Sequence, residues 1–319
     1  MDLVRAPAGP LGALVALRAP LPRRPQRGAT VRERHHLPGD LPLLAPSPLS
    51  VFAPALFEGK TALVTGGGRG IGRAIALGFA QLGANVVIAS RKLEHLAPTQ
   101  REIEALGVEC LAVPMSIRET EQVDALVEAA YARFGAVDCL INNAGGQFPA
   151  RPWEISDRGF RAVVDLNLHG TWNLCSRIGT RMIRRGSGAI VNIVHVYSFD
   201  RGSPGFAHSG AARAGVVNLT RTLAYYYARH NVNINALAPG SIATQGLREE
   251  EYARSEVAEY EALQVRDIPA HRLGTVEEVA AMTLFLCSPA ARYINGAALI
   301  ADGAQYLGPW SDPFDPEKL

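Results

Sequence analysis

Short apolar runs punctuate the chain beyond residue 60: Ala62–Val64, Val86–Ile88, Cys110–Val113, Cys139–Ile141, Ala189–Ile193, Ile234–Leu237 and Ala298–Ile300. None alternates with polar residues. Such runs are the mark of strands buried on both faces, as in a parallel sheet covered by helices. The stretches between them carry helical periodicity. In Glu121–Phe134, residues Val123, Leu126, Val127, Ala130 and Phe134 recur at i, i+3, i+4, i+7 and i+11, the spacing of one apolar helix face. Strand–helix alternation of this kind predicts one α/β domain over residues 53–307. It should be a doubly wound, seven-stranded parallel sheet with helices on both sides.

The flanks read differently. Nine of the 21 prolines fall before Ser50, and seven arginines fall before His35. Proline at that density opposes helix interiors and sheet ladders, so residues 1–52 are expected to be a disordered extension. An organelle transit peptide or a start placed too early are competing readings of it. Residues 244–267, rich in Glu and Arg, read as a substrate lid, and residues 308–319 as an extended tail. In 319 residues, 32 Lys+Arg against 30 Asp+Glu leave a net charge of +2. That balance argues against a nucleic-acid partner or a polybasic membrane surface. The four cysteines lack CxxC spacing, so neither a disulfide framework nor a metal site is expected. A cytoplasmic enzyme with a small-molecule substrate fits best. The terminal Glu317-Lys318-Leu319 departs from the Ser-Lys-Leu peroxisomal address by its glutamate.

Candidate chemistry begins at Thr65-Gly66-Gly67-Gly68-Arg69-Gly70-Ile71-Gly72, which joins the first strand to a helix. Glycines there let backbone N–H groups approach a pyrophosphate at the helix N-terminus, and a Cβ would be expected to collide with that ligand. This is a dinucleotide-binding (Rossmann) arrangement. The second strand then ends in Ser90-Arg91-Lys92 without the acid that usually holds a ribose 2′-hydroxyl. Arg91, with Arg69 approaching from the glycine turn, favours a 2′-phosphate and hence NADPH.

The glycine spacing, Asn142-Asn143-Ala144-Gly145, Asn167, Pro239-Gly240 and Asp302-Gly303 together resemble the short-chain dehydrogenase/reductase family over about Leu56–Gly303. The resemblance implies further cofactor contacts at Ser116, Ile117, Asn143, Ala144, Gly145, Arg213, Pro239, Gly240, Ile242 and Thr244. It also implies a homo-oligomer, a tetramer or dimer. The usual Ser…Tyr-x-x-x-Lys set is replaced, with His195 at the serine, Ser209 at the tyrosine and Arg213 at the lysine. The string His208-Ser209-Gly210-Ala211-Ala212-Arg213 resembles the peroxisomal trans-2-enoyl-CoA reductases and bacterial citronellol-type dehydrogenases. Tyr197 matches the proton-donating tyrosine of 2,4-dienoyl-CoA reductases.

The expected chemistry is reduction of an α,β-unsaturated, enoyl-type substrate. Electrons arriving at the β-carbon leave an enolate whose oxygen needs donors and whose α-carbon needs a proton. Tyr197 would give that proton, with Ser209 and Asn167 donating to the oxygen or to a relay water. Arg213 would hold the nicotinamide ribose and keep its charge, since its pKa is above 12. Two alternatives stand beside this reading. One is a reversible alcohol/ketone dehydrogenase using His195 or Tyr197 as acid–base; the other is a catalytically drifted nucleotide-binding scaffold. Tyr225-Tyr226-Tyr227, at helical positions, reads as core and interface packing.

Overall fold

The computed structural model describes residues 46–199, 201–244, 265–266 and 268–308. Most of the expected lid and the tail beyond Gly308 lie outside the described residues, as do residues 1–45. The body begins earlier than the sequence suggests. Pro48–Val51 forms a 3-10 turn, and Leu49 and Phe52 pack against the core, so residues 46–52 belong to the described body.

Seven parallel strands make one sheet: β1 (Thr61–Thr65), β2 (Asn85–Ser90), β3 (Cys110–Pro114), β4 (Cys139–Asn142), β5 (Gly188–Ile193), β6 (Val232–Pro239) and β7 (Ala298–Ala301). Their order is β3-β2-β1-β4-β5-β6-β7, reversing between β1 and β4. The described α-helices are α1 (Gly70–Gln81), α2 (Leu93–Ala105), α3 (Thr120–Phe134), α4 (Asp157–Val164), α5 (Gly170–Arg185), α6 (Ala207–Tyr227) and α7 (Val276–Cys287). Every expected strand is present, and the periodic segment at residues 121–134 is α3.

Strand periodicity divides the core into two layers. Val64 and Ile88 pack with Ile75, Phe79 and Leu284 from α1 and α7. Their strand neighbours Leu63 and Val87 point the other way, into Leu126, Leu174 and Ile178 from α3 and α5. The tyrosine triplet splits by the same geometry. Tyr227 is buried and donates to the Cys175 carbonyl at 3.3 Å, whereas Tyr225 is 77% exposed and Tyr226 55% exposed, so only one of the three is core.

A line of polar side chains crosses this apolar interior. Asn142 Nδ2 donates to Asn192 Oδ1 at 2.8 Å and lies 3.2 Å from Cys175 Sγ. Asn192 Nδ2 donates to Thr220 Oγ1 at 2.9 Å, and Thr220 donates to the Val216 carbonyl at 2.8 Å. The chain couples β4, β5 and α6 beneath the carboxyl edge of the sheet. Burial also pushes the Cys175 thiol up to about 12, so it stays protonated. Asn192→Ala strands partners on both sides; the expected loss is about 2–4 kcal/mol in urea unfolding. A loss within experimental error would show that the chain does not hold these elements together.

Candidate active site

The reversal of strand order opens a crevice at the carboxyl ends of β1 and β4, where ligands of such sheets bind. Thr65 closes β1 and organises both walls. Its hydroxyl accepts from the N–H groups of Asn143 and Ala144, each at 3.0 Å, and Asn143 Nδ2 donates to the Thr65 carbonyl at 2.9 Å. Part of the glycine turn is packed tightly against protein. A Cβ on Gly72 would sit 2.2 Å from the Gly66 carbonyl oxygen, and one on Gly68 would sit 2.5 Å from the His95 carbonyl oxygen. At these two positions the fold itself already requires glycine.

Cavities lie on both sides of the turn. One, of about 420 Å³, is lined by Gly66, Ser90, Arg91, Lys92, Ser116, Ile117, Ala144 and Gly145. The other, of about 390 Å³, is lined by Gly68, Arg69, Gly70 and Thr244, together with Glu94 and His95. These walls bring most of the expected cofactor residues together and fit an extended dinucleotide, with backbone amides, hydroxyls and cations as its partners. Ile71 instead packs against the core. Pro239 ends β6, Gly240 donates to the Ala301 carbonyl at 3.0 Å, and Ile242 bridges to Gly274. The cations differ in availability. Lys92 Nζ is 3.2 Å from Glu94 Oε1, whereas Arg91 is exposed and makes no ion pair among the described residues. Glu94, in the first turn of α2, is a carboxylate near this site that strand-end reasoning overlooks.

Three elements converge beyond Gly145. A Cβ there would lie 2.6 Å from Asn167 Oδ1 and 2.7 Å from Arg213 Nη2. Asn167 stands on a π-helical turn, Asp165–His169, an interruption common at functional sites. Its Nδ2 donates at 2.8 Å to the carbonyls of both Gly146 and Val163, and its Oδ1 accepts from Gly146 N–H at 3.3 Å. With both hydrogens committed, Asn167 has none to give a substrate or relay water; it secures the Gly145-Gly146 backbone instead.

Ser209 and Arg213, one turn apart on α6, face the same region. Ser209 Oγ donates to Gln147 Oε1 at 2.6 Å, and Arg213 Nη1 donates to the Ile193 carbonyl at 3.0 Å while its Nε approaches Ser209 Oγ at 3.4 Å. The serine proton therefore points at Gln147, whose amide nitrogen has no partner among the described residues. Desolvation, helped by the Arg213 charge, lowers the His195 pKa to about 4. Its Nδ1 accepts from Tyr197 N–H at 3.2 Å, which places the proton of the neutral ring on Nε2. The His195 and Tyr197 rings are 5.4 Å apart.

The comparisons with known proteins agree with this geometry. A family model described as "Enoyl-(Acyl carrier protein) reductase" matches residues 66–304. A Bacillus subtilis (strain 168) protein named "Probable 2,4-dienoyl-CoA reductase" is 36% identical over 260 residues, covering 81% of this chain and all of that one. The peroxisomal 2,4-dienoyl-CoA reductase of Rattus norvegicus is 37% identical over 259 residues, covering 81% and 87%. The chain belongs to the short-chain dehydrogenase/reductase family. Among solved structures, a citronellol catabolism dehydrogenase of Pseudomonas aeruginosa PAO1 superposes with a TM-score of 0.70 at 38% identity, covering 80% of this chain and 98% of that one.

Within this family frame, the structure adds Gln147 to the residues found from sequence. Its signal in the sequence is the string Gly145-Gly146-Gln147-Phe148, which resembles the peroxisomal trans-2-enoyl-CoA reductases, although no role followed from it. The lowered pKa of His195 leaves its ring neutral near pH 7, where its Nε2–H can donate. The low pKa has a stability consequence. The folded ring binds fewer protons than the unfolded one between pH 4 and pH 6.5, so stability rises with pH across that window and is lost as pH falls through it. The loss amounts to at most about 3 kcal/mol. In His195→Gln the unfolding free energy should fall less steeply from pH 7 to pH 4 than in the wild type. Parallel curves would contradict the assignment.

Proposed function

We propose that this protein is an NADPH-dependent reductase of α,β-unsaturated, enoyl-type compounds, with Tyr197 as the proton donor. The observation that carries the reading is the Ser209–Gln147 hydrogen bond. At the helix position where the family usually has a phenol, this chain has a hydroxyl already donating to a carboxamide. The acid must then come from elsewhere, and Tyr197 in the loop after β5 is the phenol beside His195. The relatives named as 2,4-dienoyl-CoA reductases support the same substrate class.

When bound, a reduced nicotinamide supplies hydride; the chain's own residues do the rest. As the conjugated system takes up electrons, negative charge gathers on the carbonyl oxygen. The Gln147 amide donates to that oxygen, and the neutral His195 Nε2–H is a second donor from the β5 side. Ser209 holds Gln147 in the donating orientation, and Arg213 adds a fixed positive charge near the developing anion. Tyr197 delivers a proton to carbon. Arg91, exposed and without an ion pair among the described residues, is a cation suited to a 2′-phosphate, which supports NADPH as the cofactor. Exposed Trp172 on α5 and Tyr225 and Tyr226 on α6 support the expected homo-oligomer.

The test is NADPH oxidation with enoyl and dienoyl thioesters, enones and saturated ketones side by side. Turnover confined to saturated ketones would replace this reading with the alcohol/ketone dehydrogenase. Tyr197→Phe should lower kcat about a hundredfold or more while the NADPH dissociation constant stays nearly constant. Unchanged kcat would remove Tyr197 from the chemistry. Arg91→Ala should raise the NADPH dissociation constant about tenfold, with little change for NADH. An equal change for both cofactors would exclude a contact between Arg91 and the phosphate.

A further inference from the structure

A cavity of about 170 Å³ lies at the amino edge of the sheet, away from the crevice. Its walls include Lys60, Asp138, Cys139 and Gly188, which precede or begin their strands, and Cys287 at the end of α7. Strand register decides what faces it. Cys139, Ala189 and Asn233 are paired neighbours on β4, β5 and β6, and all three line the cavity. Cys139 and Ala189 pack in the core layer shared with α1 and α7, so their side chains stand on the face of the sheet that α7 covers. Cys287 packs into the same layer. The helix stops beside it because Ser288 Oγ donates at 2.8 Å to the Phe285 carbonyl, and Pro289 has no N–H to offer that carbonyl.

Two thiols meet there. The Cys287 side chain is hydrogen-bonded to that of Cys139. Cys139 is 3% exposed, whereas Cys287 is half-buried. The other cysteines stand apart. Cys175 lies on the opposite face of the sheet with Asn142 and Asn192 as sulfur partners, and Cys110 opens the edge strand β3. The spacing of the cysteines along the chain gives no sign of this pair, which only the fold brings together.

We infer that Cys139 and Cys287 form a reversible thiol–disulfide site, oxidised by a small hydroperoxide. The cavity has room for a few molecules of water size, each about 30 Å³ in the liquid, which suits hydrogen peroxide. Cys287, the more exposed, reacts first. Its thiolate attacks one peroxide oxygen, the O–O bond breaks, and the released hydroxide takes up the thiol proton as water, leaving a sulfenic acid. The Cys139 sulfur then attacks the sulfenic sulfur. The S–S bond forms, the S–O bond breaks, and the oxygen leaves with the Cys139 proton as a second water. Two thiols thus lose two electrons and two protons, and one peroxide becomes two waters. A small dithiol reverses the change by exchange. Contact with Cys139 and burial hold the Cys287 thiol well above the usual thiol range, so the thiolate is scarce at neutral pH and oxidation is slow. The charged residues on the cavity walls are Lys60, Asp138 and Arg292; Lys60 and Arg185 hold Asp138 at 3.5 and 3.3 Å. The inference is independent of the reductase reading.

The experiment treats the reduced full chain with hydrogen peroxide from about pH 7 to about pH 9.5 and follows mass and peptide linkage. The expected product is two hydrogens lighter, with the Cys139 and Cys287 peptides joined, and dithiothreitol restores the original mass. The rate should still climb about tenfold per pH unit above about pH 8.5, where an ordinary thiol levels off. Cys139→Ser should give oxygen addition at Cys287 in place of the linkage, and Cys287→Ser should slow oxidation of Cys139 about tenfold or more. A wild-type chain that stays unmodified at the highest pH overturns the inference, as does oxygen addition without linkage. Linkage to Cys110 or to a second chain also overturns it. Linkage that forms only in urea does the same, because the thiols would then not meet in the folded protein. A rate that levels off near pH 8.5 overturns it as well, since the reacting thiol would be an ordinary exposed one.

Discussion

The carboxamide of Asn192 is the point on which the carboxyl edge of the sheet depends. It accepts from Asn142 on β4 and donates to Thr220 on α6, so one buried side chain relates two central strands to the helix that carries Ser209 and Arg213. In an apolar interior such a group is stable only when its partners are in place, which makes the arrangement all-or-none. Above it, Thr65 ties β1 to the Asn143-Ala144 turn by the same logic. The glycine turn, the convergence on Gly145 and the Ser209–Gln147 pair all stand on these two locks.

The electrostatics above that frame are one-sided. Arg213 is anchored on the Ile193 carbonyl, and its charge together with desolvation keeps His195 neutral. Among the described residues, the site thus sets the neutral His195 ring beside the Arg213 cation. That arrangement suits an oxygen that becomes negative during reaction. Lys92, by contrast, meets Glu94 across 3.2 Å beyond the end of β2, so the two ends of the crevice are charged in different ways.

Much of the fold was legible because burial on both faces leaves an unmistakable pattern: each expected strand, from Ala62–Val64 to Ala298–Ile300, falls within an observed one. The helix at residues 121–134 was readable for the same reason. What local pattern could not reveal was which way a side chain turns once helices and loops pack. Asn167 looked like a donor and spends both hydrogens on the backbone. The tyrosine triplet read as core and interface packing without saying which residue was which; Tyr227 is buried while Tyr225 and Tyr226 face outward, because adjacent helical positions lie about 100° apart. Gln147 carried no periodic signal and matters only because α6, some sixty residues on, brings Ser209 to it. Ile71, inside the glycine motif, belongs to the core.

The contact between Gly72 and the Gly66 carbonyl has a wider meaning for how such turns should be read. Because the crowding is internal, the turn is preassembled: its shape is dictated by the strand and helix that meet there, whether or not anything binds. A descendant stripped of catalysis would still be obliged to keep these residues in order to fold. Gly68 and Gly72 therefore report on architecture, and evidence of turnover has to be sought at the opposite end of the crevice, among the groups around Gly145.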